Sequence, residues 1–424
     1  MAAAPSCCSA ASPDAVPLNR RRFALSLAGA ALGARPTAGA GGDGFFRGAA
    51  PALLAPIRAA AQALGGPGLL KSYVTDGGEA FDRSHAEVAY TYDNAVAGLA
   101  LLAAGEAALA ARLAEGLRLA QAQDRFWTDG RLRNAYAAGR QVPDAPASAR
   151  PPGWWDAVSG RWVEDGYAAG SASGPIAFTM LLWTAFPGNG AFRAAAERAA
   201  GWVERDCAAP GDSRGGFTGG TLGHEPQPER QAWLSTEQNL DLAVAFARLG
   251  RHDAAAKAAG FVRSLWRPAE GRFAAGLTPQ GAVNEDSAVD ANLWPLLAFR
   301  EADFAPALGW VLARHGLPAG APTGELEGLD FNTDRDGIWL EGTAQAALLL
   351  RRQGRGALAE RFLHTVLRER DGSGWVRAAS IPWLTTGFYN GDIPFLYPRR
   401  GHLAANGWAL LAALDVSPFD APPT

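Results

Sequence analysis

Cysteine is scarce: three in 424 residues, of which Cys7 and Cys8 precede a short apolar run near the N-terminus that reads as a cleavable leader. Their removal would leave Cys207 alone, so no intrachain disulfide is expected in the mature chain. Long apolar runs are missing too. Nothing after residue 40 approaches the roughly 20 residues that cross a bilayer, so no membrane insertion is expected once the leader is gone. Positive charge is also in deficit. The chain carries −3 overall, and residues 1–40 hold four arginines against one aspartate, which leaves −6 for the remainder. Without a basic stripe to neutralise phosphates, nucleic acid is excluded as a partner. There is no G-x-x-x-x-G-K-[ST], no G-x-G-x-x-G ahead of a helix and no G-x-S-x-G, and His85, His224 and His402 lack metal-ligand spacing. Nucleotide chemistry, an elbow nucleophile and a catalytic metal are not indicated, and no cofactor is expected.

What is present begins with an address. Asn19-Arg20-Arg21-Arg22-Phe23, the apolar run to Ala34 and the small residues Ala38-Gly39-Ala40 resemble a twin-arginine export leader. Residues 1–40 are therefore expected to be cleaved, and 41–424 to work as a monomer in the periplasm or outside the cell.

The mature part repeats one event six times. A short polar opening starts an unusually apolar helix: Thr91–Glu106, Gly170–Phe186, Ser235–Gly250, Val289–Phe299, Leu340–Gly354 and His402–Leu414. Each is apolar nearly all round, as in a helix buried on every side. Between them run helices with apolar residues at three-to-four spacing and Arg, Lys and Glu opposite, which bury one face only: 106–124, 191–207, 251–266, 304–316 and 355–370, with 50–65 as the sixth. Six buried helices alternating with six amphipathic ones describe two concentric rings. A solenoid would leave its inner layer uncovered at both ends. The expectation is an all-α (α/α)6 toroid forming one domain, with a few short β-hairpins in its loops. Antiparallel pairing puts all six polar openings at one mouth.

Acids crowd those openings. Asp93, Glu237, Asp290 and Glu341 lie in first turns, where the helix N-terminus favours an anion; singly each could be a cap. Crowded together, some would have raised pKa values, which sets a proton donor beside a base. Glu237 is the foremost candidate. Asp241, one turn deeper, calls for a buried partner on a neighbouring helix. Glu164 and Asp165 stand on the loop before the second buried helix, whose first turn has no acid, and Asp392 lies on the loop before the sixth. Asp330, Asn332, Asp334 and Asp336 are calcium-loop-like in composition but lack the EF-hand spacing.

Aromatic and hydrogen-bonding residues gather at loop ends. Tyr92, Trp127, Tyr136, Trp154, Trp155, Trp339 and Trp383 offer flat faces suited to the C–H faces of sugars, and Arg131, Asn134, Asp156, Asn239, Asp290 and His402 could bond hydroxyls. A neutral polysaccharide or oligosaccharide is the ligand this suits.

Six segments carry a family resemblance: Thr128–Tyr136, Gly153–Tyr167, Gly216–Gly220, Ser235–Asp241, Asp330–Gln345 and Thr385–Ala405. In order and over residues 70–414, the chain resembles bacterial exported proteins of the six-hairpin glycosidase-like superfamily. The resemblance implies a toroid and carbohydrate chemistry, with Glu237 and Glu341 matching the family pattern. Two positions depart from it: Gln238 stands where the pattern has His, and Ser173-Gly174-Pro175 where it has Thr-Gly-Asn. A glycoside hydrolase is implied first, inverting by the superfamily's habit. A polysaccharide lyase (Tyr136 with Arg131, or His402 with Arg399), a sugar epimerase and a non-catalytic glycan-binding subunit remain open.

Overall fold

The computed structural model describes residues 40–210, 215–318, 326–390 and 393–421. The leader, apart from Ala40, and Asp392 lie outside the described residues. Six helices form an inner ring: Thr91–Ala103, Ser173–Thr184, Thr236–Leu249, Val289–Ala298, Leu340–Arg352 and Leu403–Leu414. Each packs on the next, and the sixth returns to the first, so the ring closes. Outside them lie Ala40–Ala63, Ala107–Ala122, Gly190–Asp206, His252–Ser264, Pro306–Arg314 and Gly356–Arg368. Ala40–Ala63, longer than the expected 50–65, packs against Leu403–Leu414, so the first outer helix completes the last hairpin. The architecture is an (α/α)6 toroid.

Sequence character explains the layering. In the sixth inner helix every residue from Leu403 to Ala413 is buried. The outer helix Gly356–Arg368 buries Ala359, Phe362, Leu363 and Val366 along one stripe and gives its charges to solvent. None of the described helices is long and apolar enough to cross a membrane.

One polar device recurs inside the ring. The fourth residue of four inner helices is a buried asparagine that grips the chain entering or flanking its helix. Asn94 accepts from Leu70 N at 2.7 Å and donates to Leu70 O and Tyr90 O. Asn239 accepts from Phe217 N at 2.7 Å and donates to Phe217 O and Ser235 O. Asn292 accepts from Phe273 N and donates to Ala288 O, and Asn406 accepts from Val376 N and donates to Leu53 O. Thr343 plays the part in the fifth helix, through Leu329 and Trp339. Only the second helix has an apolar residue, Ile176, at this position. These bonds satisfy main-chain groups that would otherwise be buried unpaired.

Strands are short and serve the mouth. Val88–Tyr90 pairs with Ala135–Ala137, Gly153–Asp156 with Arg161–Glu164, and Trp383–Asn390 with Ile393–Pro398. The opposite end of the ring is stoppered by the C-terminal segment. Phe419 packs 6.0 Å from Phe178 and 5.5 Å from Trp294, ring centre to ring centre. Asp420 binds Arg300 and Arg352, while Arg248 donates to Pro418 O and Asp420 O.

Candidate active site

The second residues of the six inner helices are Tyr92, Gly174, Glu237, Asp290, Glu341 and Ala404. Equivalent positions in a closed ring stand at one level, so three carboxyl groups and a phenol meet around the axis, while Gly174 is backed by the Gln238 side chain and Ala404 is buried. Contacts across the ring bear this out. Tyr92 donates its hydroxyl proton to Glu341 Oε1 at 2.6 Å, and Trp408 Nε1 donates to the Tyr92 oxygen at 2.8 Å. One turn deeper come Val96, Phe178, Asp241, Trp294, Gln345 and Trp408. Here Trp294 stacks on Trp408 at 5.7 Å and Phe178 lies 5.4 Å from Trp294. This aromatic layer, backed by Phe419, closes the axis beneath the acids, and the acid-lined end above it is the pit.

Two further groups join Glu341. His402, the residue before the sixth inner helix, has Nε2 3.1 Å from Asp93 Oδ2 and Nδ1 3.9 Å from Glu341 Oε2. Its Nδ1 has no hydrogen-bond partner in the protein. Tyr73 stacks on the imidazole at 4.6 Å and holds the ring plane. Burial alone would lower the His402 pKa, but the Asp93 charge and hydrogen bond, with help from Glu341, outweigh it and raise the value. The imidazole thus stands between the Asp93 and Glu341 carboxyl groups.

The acids respond to one another. Burial pushes Glu341 up to about 7; His402 and the Tyr92 bond pull it down, and Asp93 and Asp290 push it further up. Burial also lifts Asp290 to about 7, against the pull of main-chain N–H groups. Glu237 lies well above the ordinary carboxyl range, through burial first and then the neighbouring Asp290 and Glu341. Its surface is nonetheless partly open to solvent: packed densely around the carboxyl, yet reachable from the mouth. Asp241 is buried, and neither of its oxygens has a partner. The partner expected from a neighbouring helix is therefore not there; burial, with Glu237 and Asp290 nearby, instead pushes its pKa well up, toward the neutral form.

Aromatic rings wall the mouth. Tyr90, Tyr167, Phe395, Tyr397 and Phe331 follow one another at 5.2–6.4 Å. Phe388 and Trp339 flank Phe331. The hairpin Trp383–Pro398 carries several of these rings. It is fastened to the loop before the fifth inner helix, where Asp336 accepts from Thr385 N at 3.1 Å and Asp334 from the Thr385 hydroxyl. Asp330, buried, accepts from Phe331 N and Asp336 N and is raised to about 8, by burial first and then by Asp334. Asp330, Asp334 and Asp336 have oxygens close enough to hold a cation, but main-chain and threonine donors already engage them.

The ring thus brings together Asp93, Glu237, Asp290, Glu341, Tyr92, Trp339 and His402. Asp165 stands near Tyr90 and Tyr167, capping the turn Gly166–Ala169 through Ala168 N. Other candidates are engaged elsewhere. Glu164 makes two bonds of 2.7 Å to Arg125, in a network where Glu225 bridges Arg125 and Arg133. Asn134 joins Ala172 N to Tyr167 O, Asn239 is one of the clamps, and Tyr136 accepts from Arg133 N. Arg131 pairs with Asp129 and lies 3.7 Å above Trp127 and 5.0 Å from Trp202 of an outer helix. Asp156 holds its own hairpin turn through Val158 N and Ser159. Trp154 is half-buried and Trp155 exposed on that hairpin, and Trp383 is exposed beside Phe81. Sequence reading missed Tyr73, Tyr90, Gln345, Phe395, Tyr397 and Trp408. The first two and the Phe395–Tyr397 pair sit outside any helical pattern, and Gln345 and Trp408 look like core. A cavity of 470 Å³ between Ala60 and Leu403 reaches the back of Tyr73 but has no acid in its lining.

No protein-family model and no curated protein sequence matches the chain. Solved structures do. A wild-type glycosidase superposes with a TM-score of 0.55 at 12% identity, over 89% of this chain and 98% of its own. A cellobiose 2-epimerase from Bacillus thermoamylovorans gives 0.54 at 10% identity, over 82% and 92%. A D-mannose isomerase gives 0.53 at 10%, over 85% and 96%. The shared feature is the toroid, a glycosidase-like fold also used by sugar isomerases and epimerases.

Proposed function

We propose that this chain is an exported glycoside hydrolase that cleaves a neutral polysaccharide or oligosaccharide at this pit. One observation carries the reading. Of two carboxyl groups at the same level, Glu237 has its pKa pushed well up by burial and the neighbouring acids, while for Glu341, raised by burial to about 7, His402 and the Tyr92 hydrogen bond pull toward the ionised form. That is the unequal pairing glycosidic cleavage requires. Glu237 would give its proton to the leaving glycosidic oxygen as the C–O bond breaks. Glu341, ionised, would take a proton from the water that attacks the anomeric carbon. His402 would support the negative charge on Glu341, and the aromatic wall would hold the sugar faces. The superfamily's habit favours inversion, which the anomer of the first product would decide. The glycosidase among the structural neighbours supports the class of reaction.

The test is a screen of the purified protein against bacterial and plant polysaccharides, followed by Glu237→Gln and Glu341→Gln on a cleaved substrate. Losses of about 10²–10⁴-fold in kcat are expected for each. Full activity in both variants would sink the assignment. Export is tested separately: lysines at Arg20 and Arg21 should keep the protein out of the periplasm.

A sugar epimerase or isomerase is the second reading. It is favoured by the unpartnered Nδ1 of His402 and by the two neighbours of that class. It would need a second base, and His85 is turned away, with Nδ1 facing Phe81 O and Ser84 and Nε2 facing Tyr90. The lyase reading fares less well, because Tyr136 is engaged in the loop core and Arg399 pairs with Glu369. Binding of glycan without any turnover would favour a non-catalytic subunit.

A further inference from the structure

The exposed large apolar side chains are unevenly distributed. Among the described residues they are Val74, Phe126, Val142, Trp155, Val158, Trp162, Trp383 and Tyr389. Five of the eight, including every exposed Trp and Tyr ring, sit on two hairpins: Gly153–Glu164 and Trp383–Pro398. Isolated exposed apolar residues are ordinary, but a concentration on one rim marks a binding surface.

The geometry of the first hairpin makes the concentration deliberate. Trp155 and Trp162 are directly opposed across the two strands, so both rings leave the same face. They are 63% and 47% exposed, whereas Trp154 and Val163, on the other face, are half-buried. The inner strand packs on the short helix Ala80–Ser84. Phe81 of that helix lies 5.6 Å from Trp383 on the second hairpin and 5.1 Å from Tyr73, which stacks on His402 in the pit. Aromatic contacts thus run from His402 through Tyr73 and Phe81 to Trp383 at the rim.

Charge narrows the occupant. Glu164 pairs with Arg125; Arg150 pairs with Glu87 and lies 5.6 Å over the Trp162 ring, and Asp156 and Arg161 face each other across the hairpin with opposite signs. The surface offers flat rings edged by neutral balance. Its two cations, Arg150 and Arg161, each have an acid beside or opposite them, so the surface has no run of unbalanced positive charge for an acidic polymer.

We propose that Trp155, Trp162 and Trp383 form a platform outside the pit that takes the distal part of a neutral polysaccharide chain whose reacting sugar occupies the pit. The proposal rests on the hydrolase reading for what happens in the pit, but not for binding at the rim. A chain long enough to lie on both surfaces gains from two linked contacts. A short oligosaccharide reaches only one.

Affinity gel electrophoresis of the full-length Glu237→Gln protein tests this, since a silenced pit cannot consume the probe. The probes are soluble mixed-linkage glucan, xyloglucan and dextran as neutral polymers, and alginate as an anionic one. At least one neutral polymer should retard the protein, and Trp155→Ala with Trp162→Ala should weaken retardation about tenfold, as expected for lost stacking of roughly 1–1.5 kcal/mol. Phe at both positions should restore most of it, and Val142→Ala, exposed elsewhere, should change nothing. Unchanged thermal unfolding of the double variant would exclude misfolding as the cause. Equal retardation of the double variant overturns the proposal, as does retardation by alginate alone or by none of the four. A dimer that falls to monomer in the double variant also overturns it, because the rings would then seat a second copy. If the rim binds glucan while no glycan is ever cleaved, the platform stands and the hydrolase reading falls.

Discussion

Tyr92 and Glu341 come from the first and fifth inner helices, 249 residues apart in sequence, and meet in a hydrogen bond of 2.6 Å. The bond holds the Glu341 carboxylate in one orientation and opposes the upward push of burial on its pKa. Tyr92→Phe should therefore move the acidic limb of the kcat/KM profile upward from about 7 and lower its plateau by about 10- to 100-fold, the loss expected for one hydrogen bond to a charged group. A pH–rate profile of the variant checks both. An unshifted limb would place the base elsewhere.

Stability should depend on pH in a direction set by the same cluster. Glu341 and Asp290 have folded values of about 7, above their unfolded ones. Their contribution is fullest below about pH 4 and is lost as the pH rises toward 7. His402, also raised, adds stability that is present below its unfolded value and lost as the pH rises through its folded one. Asp82 and Glu225 act in the opposite sense. Both are held at about 2, chiefly through Arg400 for Asp82 and, for Glu225, through Arg125 and Arg133 against the cost of burial. Their stabilisation is present above about pH 4 and is lost in stronger acid. Tm should peak at about pH 4, where the two windows meet, and fall toward about pH 8. Calorimetry on Glu341→Gln should show a shallower alkaline fall.

Arg133 is wholly buried and binds both Asp124 oxygens, Glu225 and Ala169 O. Arg133→Ala should cost about 3–5 kcal/mol, because the acids it leaves are uncompensated. Glu164, on the same network but nearer solvent, should cost about 1 kcal/mol as Glu164→Gln. Denaturant unfolding measures both. A thousandfold loss of turnover in Glu164→Gln without a change in stability would return Glu164 to the catalytic candidates.

Asn239→Ala removes three main-chain bonds at the entrance to the third inner helix. A loss of about 2–3 kcal/mol is expected, since Phe217 N and O would be left buried and unpaired. If the variant loses glycan binding at unchanged Tm, Asn239 contacts substrate after all.

The helix pairs were readable because burial writes itself into periodicity. The sixth inner helix is apolar all round, and Gly356–Arg368 is apolar along one stripe. The convergence of Asp93, Glu237, Asp290 and Glu341 followed from ring closure and needed no knowledge of loops. Side-chain direction was not readable. Asn239 and Glu237 lie two residues apart in one polar opening, yet one turns to the chain behind it and the other to the axis. Asn134 and Tyr136 look like ligands for sugar because polar residues in loops usually face water; here long-range main-chain bonds claim them. Tyr73 and Tyr397 gave no signal, since their roles depend on a stack with His402 and on a hairpin register that only tertiary packing sets. The two departures from the family pattern turn out to touch. Gln238 Oε1 accepts from the Ser173 hydroxyl at 2.8 Å and lies 3.3 Å from Gly174 N, so they form one local exchange.

The clamp at the fourth helical residue and the acid at the second are separate tenants of one turn. Anchorage belongs to the first, and the proposed chemistry to the second. A toroid wired in this way resembles a switchboard with six sockets. The side chain plugged into each, whether Tyr92, Gly174, Glu237, Asp290, Glu341 or Ala404, takes no part in the clamp bonds that hold the frame. Removing the carboxylate at Asp290, which leaves the Asn292 clamp in place, would then be a route to altered specificity on the same chassis.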